Sequence, residues 1–475
     1  MRVRWVAAVA AFVAFTPLIS ASQKPSLPPH AALHPLLADV QPQVIARLNA
    51  HPGLGIVIGL IDQTGKRWIL TAGTAGENEK RPLDADTLFE IGSMTKVFTS
   101  ALLAEMVQRG EVALTDPVSR YLPATVRVPA RNGRQITLAD LSTHTSGLPR
   151  LPVNMDPRDP DNPYADYTAQ RMYDFLAGYE LTRDIGAQYE YSNLGAGLLG
   201  HALAGRAGTT YERLLTTRVL APLGMRATCI TVTPALKARF AIGHTSIGYP
   251  AEYWDLGALA GAGGLRSSVN DVLAFLAANM APRGDRLGKA FGTMQAPRHD
   301  AGPRQAGGPE MSVGLGWHIR KTADGEIVWH NGGTYGFHAF MGFDRKRHVA
   351  VVVLHNSGTV IDDIGFHLID AAIPLSGAKA GNATSRREVP VPPAALARYA
   401  GEYQLGPLAM TVTTDGGIFR VRLAGQTAVR AYPESETAFF LKVVDAQIEF
   451  TTDAGGAVTG VVLHQNGRDV VGKRK

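Results

Sequence analysis

The placement of extended segments constrains this fold most. Two β-rich runs, GIVIGLID at residues 55–62 and RWILTAG at Arg67–Gly73, are joined by Gln63-Thr64-Gly65-Lys66 and read as a hairpin. Helical patterns dominate from Ser93 to about Met280. Strands return only near GLGWHIR, EIVWHNGG, FHAFMGFD and HVAVVVLHNS, the last two flanking an Arg345-Lys346-Arg347 turn region. Strands at both ends with helices between predict one α+β domain, its antiparallel sheet built from the two ends. Inside the helical part, PVNMDPRDPDNPYADY (residues 152–167) has three X-Pro steps and is barred from helix.

The N-terminus carries a different signal. Arg2 and Arg4 precede an apolar run from Trp5 to about Ile19 and then small residues, the pattern of a cleavable secretory signal peptide over residues 1–22. The run is short of the roughly 20 apolar residues a membrane span needs, and Pro17 interrupts it. A secreted or periplasmic protein with no membrane anchor after signal removal is expected. The single cysteine, Cys229, excludes an internal disulfide, lies far from the cleavage region and reads as inert packing. Removing residues 1–22 takes away Arg2 and Arg4 and lowers the formal charge from +6 to +4; no dense Lys/Arg run appears, which argues against nucleic acid as a partner.

A first domain is expected over residues 23–375. SGAKAGNATSRREVPVPP, residues 376–393, lacks apolar periodicity and reads as a linker. Residues 394–475 follow as an all-β domain, with MTVT, IFRVRL, AFFLKV, QIEFTT and VTGVVL as strands spaced for a small meander or barrel.

Three short elements carry chemistry. Ser93 lies three residues before Lys96, where a small-residue turn becomes a helix with Met94, Val97, Phe98, Ala101, Leu102 and Met106 on one buried face and Gly110 as its stop. Three apart, Ser93 and Lys96 share a face, although a plain helix start would look similar. A second Ser-x-x-Lys, Ser376 to Lys379, sits in the linker with no helix after it. Tyr191-Ser192-Asn193 precedes an apolar segment, so that Tyr191 and Asn193 can share a cleft or the turn can merely cap a helix. The rival Ser268-Val269-Asn270 reads as a cap. His330-Asn331-Gly332-Gly333-Thr334 ends a strand in small residues, which exposes backbone N–H groups to close approach, whereas His51-Pro52-Gly53 is a lone turn.

In this order, Ser93/Lys96, Tyr191/Asn193 and His330-Asn331-Gly332 resemble the Ser-x-x-Lys, Tyr-x-Asn and third-strand triplet of the serine β-lactamase and penicillin-binding protein superfamily, in particular its class C β-lactamase-like branch. STHTSGLP from Ser142, APLGMRAT after Leu220, GAGGLRSS from Gly261 and GLGW from Gly314 look like the same family. The resemblance implies a β-lactamase-like fold with a C-terminal barrel. It implies Ser93 as nucleophile, Lys96 or Tyr191 as general base, Tyr191 as proton donor to the leaving group, and Asn193 as binder of the substrate's amide side chain. The backbone N–H groups of Ser93 and Gly333 would form the oxyanion hole, and His330, Asn331 and Gly332 would bind substrate.

The chain departs from the family at the triplet, where class C β-lactamases usually carry lysine and threonine in place of His330 and Asn331. A histidine with a pKa near 6.5 is mostly neutral at pH 7, whereas lysine would be permanently charged. The expected activity is acyl transfer from β-lactams or D-amino-acid peptides, with a carboxylesterase on the same scaffold as the alternative. The substrate is a small molecule or peptidoglycan-derived. No cofactor is called for, and the fourteen histidines include no helical His-x-x-x-His for a metal.

Overall fold

The computed structural model describes residues 33–475 apart from 50–51, 77–80, 282–283, 303–307, 378–385, 425 and 466. The signal-peptide segment 1–22, His51 and Lys379 therefore lie outside the described residues.

Gly55–Ile61 is buried along its whole length because both its faces meet a core. Val57 and Ile61 join the large cluster on the helical side, while Ile56, Ile58 and Leu60 join a second cluster under the helices Pro35–Leu48 and Asp362–Ile369. Alternate residues pointing to opposite faces make such an uninterrupted apolar run the signature of a central strand. On one side it pairs with Arg67–Gly73, as a hairpin; on the other it pairs with Val349–His355, Ile56 opposite His355 and Ile61 opposite Ala350. The two ends of the domain are thus zipped together next to the hairpin edge of an eight-stranded antiparallel sheet. It continues through His338–Asp344, Glu326–Gly333, His318–Lys321, Met311–Val313 and His299–Asp300.

The helix Thr95–Gln108 runs through the large cluster. The expected stripe is fully buried, but so is every residue from Thr95 to Met106, Lys96 and Glu105 included. A helix buried all round is a central element, not an amphipathic surface one. Gly110, at φ +70°, follows its C-terminal end. Residues 152–167 form no helix.

The C-terminal region is a closed barrel of eight antiparallel strands. Gly401–Leu405, Val429–Pro433 and Arg468–Arg474 add to the five strand segments read from the sequence. Its core is its own, centred on Tyr399, Phe419, Phe439 and Phe450. The short helix Pro393–Ala397 puts Leu396 into that core and Val391 packs against it. The end of the linker segment is bound down too: Arg386 N donates to the Tyr249 hydroxyl at 2.7 Å, and its guanidinium pairs with Glu434 at 2.8 Å.

Candidate active site

Ser93 sits in the one-turn helix Gly92–Met94 that leads into Thr95–Gln108, and it makes no capping bond there. Its Oγ lies instead 2.9 Å from Lys96 Nζ, which also donates to the carbonyl of Ala262 at 2.6 Å. Ser268 differs, since its side chain accepts from Asp271 N and caps the following helix. Lys96 is 2% exposed and among the described residues no carboxylate pairs with it. Burial, with the Arg150 guanidinium adding to it, holds its amine well below the usual lysine range.

The turn bearing Ser93 is fastened to the end of Glu326–Gly333 by backbone contact. A Cβ on Gly332 would fall 1.9 Å from the Ile91 carbonyl oxygen, and one on Gly92, which has φ +48°, would fall 2.7 Å from Gly333 N. Only glycine permits this approach. Thr334 N donates to Phe337 O, so by ladder alternation the next pair, Gly333 and His338, is a non-bonded one, and Gly333 N–H points away from the strand His338–Asp344. On that side the neighbouring strand stops at the pair of Trp329 with His318. Gly333 N–H therefore faces the open edge beside Ser93, whose own N–H lies in a first helical turn.

Tyr191 and Asn193 are set by the segment 144–150. Ser192 caps the helix Asn193–Ala207 by accepting from Gly195 N at 2.8 Å and donates its hydroxyl hydrogen to Pro149 O at 2.7 Å. Asn193 N donates to Arg150 O at 3.0 Å, and Ser192 N to His144 Nδ1 at 3.1 Å. Capping duty thus falls on Ser192, which leaves Tyr191 and Asn193 for the cleft. The Tyr191 ring centre is 4.8 Å from Lys96 Nζ. Asn193 reaches the Tyr164 hydroxyl, and its buried Oδ1 has no partner among the described residues.

Three imidazoles surround Tyr191, at ring distances of 4.5 Å for His144 and 6.3 Å for both His318 and His330. His330 is 1% exposed, with Nδ1 bonded to its own neighbour's carbonyl, Asn331 O, at 2.5 Å. Burial, then the charges of His318 and Lys96, push it well below 6.5, so it does not titrate where a free histidine would. Asn331 is also not where a substrate-binding side chain is expected. Its Nδ2 donates to Asp362 Oδ2 at 2.6 Å, because strand alternation turns it to the face opposite His330, toward the helix Asp362–Ile369.

A pocket of about 100 Å³ opens at Ser93, walled by Arg150, Tyr164, Asn193, Trp254, Gly333 and Thr334 among others. His144, Arg150, Tyr164, His318 and Trp254 had no role in the sequence reading. The stretches STHTSGLP, GAGGLRSS and GLGW were visible as family-like, yet only the fold reveals that they deliver His144, the Ala262 carbonyl and, one residue on, His318. No sequence pattern marks Arg150 or Trp254. Among the described residues no group of three or more His, Cys, Asp or Glu is placed to hold a metal ion, and no helix is long and apolar enough to cross a membrane.

Residues 43–372 match the Beta-lactamase family model, and residues 385–474 match a model described as Domain of unknown function (DUF3471). The D-alanyl-D-alanine-carboxypeptidase/endopeptidase AmpH of Escherichia coli K12 is 28% identical over 335 residues, 68% of this chain and 86% of that protein. Penicillin-binding protein 4* of Bacillus subtilis is 26% identical over 436 residues, 84% of this chain and 90% of that protein. The crystal structure of a Beta-lactamase/D-alanine Carboxypeptidase from Yersinia pestis, complexed with citrate, superposes with a TM-score of 0.61 at 27% identity, covering 71% of this chain and 95% of that one. With two thirds of its length matched and its fold shared, the chain belongs to the Beta-lactamase family, in the serine β-lactamase superfamily.

Proposed function

We propose that the protein is an exported active-site-serine hydrolase that forms an acyl-enzyme with β-lactams or D-amino-acid peptides, in the manner of a β-lactamase or D-alanyl-D-alanine carboxypeptidase. The observation that carries this reading is Ser93 Oγ at 2.9 Å from a buried lysine amine that lacks a counter-charge. Keeping a lysine neutral at pH 7 takes roughly 4.6 kcal/mol against its free value near 10.4. Full burial without a carboxylate partner supplies effects of that size. Between Lys96 and Tyr191 as base, this favours Lys96.

The neutral Lys96 amine takes the Ser93 proton as Oγ bonds to the carbonyl carbon. The N–H groups of Ser93 and Gly333 hold the resulting oxyanion. As the C–N bond breaks, the proton passes to the leaving nitrogen through Tyr191. A water then attacks the Ser93 ester and loses its proton to the same Lys96–Tyr191 pair, which passes it to Ser93 Oγ as the acyl–oxygen bond breaks and the acid leaves. Asn193 takes the amide of the acyl donor. Export, with a small-molecule or peptidoglycan-derived substrate, is supported by the N-terminal pattern of two arginines, an apolar run and small residues, and by relatives named as β-lactamases and D-alanyl-D-alanine carboxypeptidases.

One observation favours a second reading, a carboxylesterase on the same scaffold: a neutral His330 supplies no fixed charge for a β-lactam carboxylate. Turnover of a chromogenic cephalosporin, a D-alanyl-D-alanine peptide and a short p-nitrophenyl ester by the wild type and Ser93→Ala decides between them. The first reading expects cephalosporin or peptide turnover that is lost in the variant; turnover of the ester alone moves the esterase ahead.

A further inference from the structure

His330 is held neutral and Asn331 is tied to Asp362, so neither brings positive charge to the strand edge. Of the residues lining the pocket at Ser93, Arg150 alone carries a full charge. Its guanidinium lies 5.2 Å from the centre of the Tyr191 ring, and among the described residues it has no carboxylate partner and no hydrogen-bonded acceptor. Lys96, His144 and Tyr164 all feel its field. An exposed arginine with its guanidinium over the Tyr191 ring, in a pocket it shares with Ser93, Tyr164 and Trp254, is arranged to meet an anion.

Its place says which part of a substrate brings that anion. Arg150 shares its pocket with Asn193 and not with His330, so it lies on the side of Ser93 that takes the acyl donor. Arg150 also lines a second, larger groove of about 920 Å³ between residues 149–157 and the barrel, where Glu402, Thr411, Arg422 and Gln426 form the far wall. Arg150 is thus the residue shared by the pocket at Ser93 and this groove. We propose that Arg150 is a specificity-determining residue that recognises a carboxylate on the acyl-donor side of the substrate, selecting acidic acyl chains over neutral ones. This rests on the acyl-enzyme reading of Ser93, and it deepens that reading by naming the charge of the donor.

The test uses the full-length mature protein and two matched pairs. One is benzylpenicillin and its analogue with an added carboxylate on the side-chain methylene; the other is the p-nitrophenyl esters of N-butyryl-glycine and N-glutaryl-glycine. For each pair the ratio of acylation efficiencies, acidic over neutral, is compared in wild type, Arg150→Gln and Arg150→Lys. We expect a ratio of about five to twenty in wild type, carried by KM and falling as salt is raised. It should collapse to about one in Arg150→Gln and be partly restored in Arg150→Lys. A ratio near one in wild type, or one that survives Arg150→Gln, overturns the proposal. Binding of N-glutaryl-glycinamide against N-butyryl-glycinamide to Ser93→Ala, with and without Arg150→Gln, reads the same preference without catalysis. Loss of chemistry in every arm would therefore refute the function of Ser93, while this binding difference still judges Arg150: a several-fold preference abolished by Arg150→Gln supports it, and equal binding refutes it.

Discussion

Burial, with the Arg150 charge adding to it, holds the Lys96 amine well below the usual lysine range, and its chemistry should betray this. Acylation should follow the fraction of neutral amine, so activity falls as pH drops through the Lys96 pKa, which lies well below the ordinary 10.5. The Arg150 charge helps to hold that pKa down, so Arg150→Gln should move the acid limb of the kcat/KM profile to higher pH; an unmoved or lowered limb would contradict Lys96 as the base. Lys96→Arg cannot offer a neutral amine and should cost at least about a hundredfold in acylation, measured by burst kinetics. At His330 the sequence suggests a residue titrating near 6.5, and nothing in its spacing reveals that the fold seals it to 1% exposure beside two other imidazoles. KM should consequently show no histidine inflection near pH 6.5.

At the scale of elements, the site is a junction between a helix start and a strand end, held by two glycines. Gly332→Ala places a methyl 1.9 Å from the Ile91 carbonyl oxygen, so the turn carrying Ser93 must retreat. We expect about 1–3 kcal/mol lost in thermal or denaturant unfolding, and a larger relative loss of acylation than of stability, because the oxyanion N–H groups separate. Acylation at the wild-type rate would show that the contact does not set the site. The central strand, the hairpin and the helix that follows Ser93 are legible in the sequence because period-two and helical apolar patterns survive burial. The all-round burial of Thr95–Gln108 was not, since a helix patterned for one face says nothing of what later covers the other. The turn of the Asn331 side chain toward Asp362 is hidden for a related reason: adjacent strand residues face opposite ways, and a motif read as a string ignores that.

Across the whole molecule, the barrel reaches the cleft through residues 152–167. The Tyr432 hydroxyl donates to Asp161 at 2.6 Å, Arg430 pairs with Asp161 at 3.4 Å, and Arg420 donates to the carbonyl of Arg158, while Tyr164 three residues on lines the pocket. The apolar cores of the two parts remain separate. A chain ended near residue 377 should thus fold cooperatively and still acylate, but with a raised KM; an unfolded or inactive product would show that the barrel completes the first core. The sequence marked a linker from its composition but could not show that residues 386–393 belong to the barrel's packing. Acid sensitivity also belongs to the whole. His144 and His330 are held well below 6.5, His338 at about 4 and His355 at about 3, all by burial. Below about 6.5 the unfolded chain binds more protons than the folded one. Their stabilisation is complete above that pH and lost on acidification, by up to about 1.4 kcal/mol per pH unit for each histidine. Glu90, raised to about 7, and Asp271, raised above the usual aspartate range, both by burial, oppose this. Denaturant midpoints should fall between pH 6.5 and 4.

If Ser93 is the nucleophile, activated by Lys96, intact mass after brief incubation with a penicillin should reveal a covalent adduct on it. Wild type should gain the mass of one penicillin, Ser93→Ala none, and Ser268→Ala and Ser376→Ala the same as wild type. An adduct that persists in Ser93→Ala would place the nucleophile elsewhere.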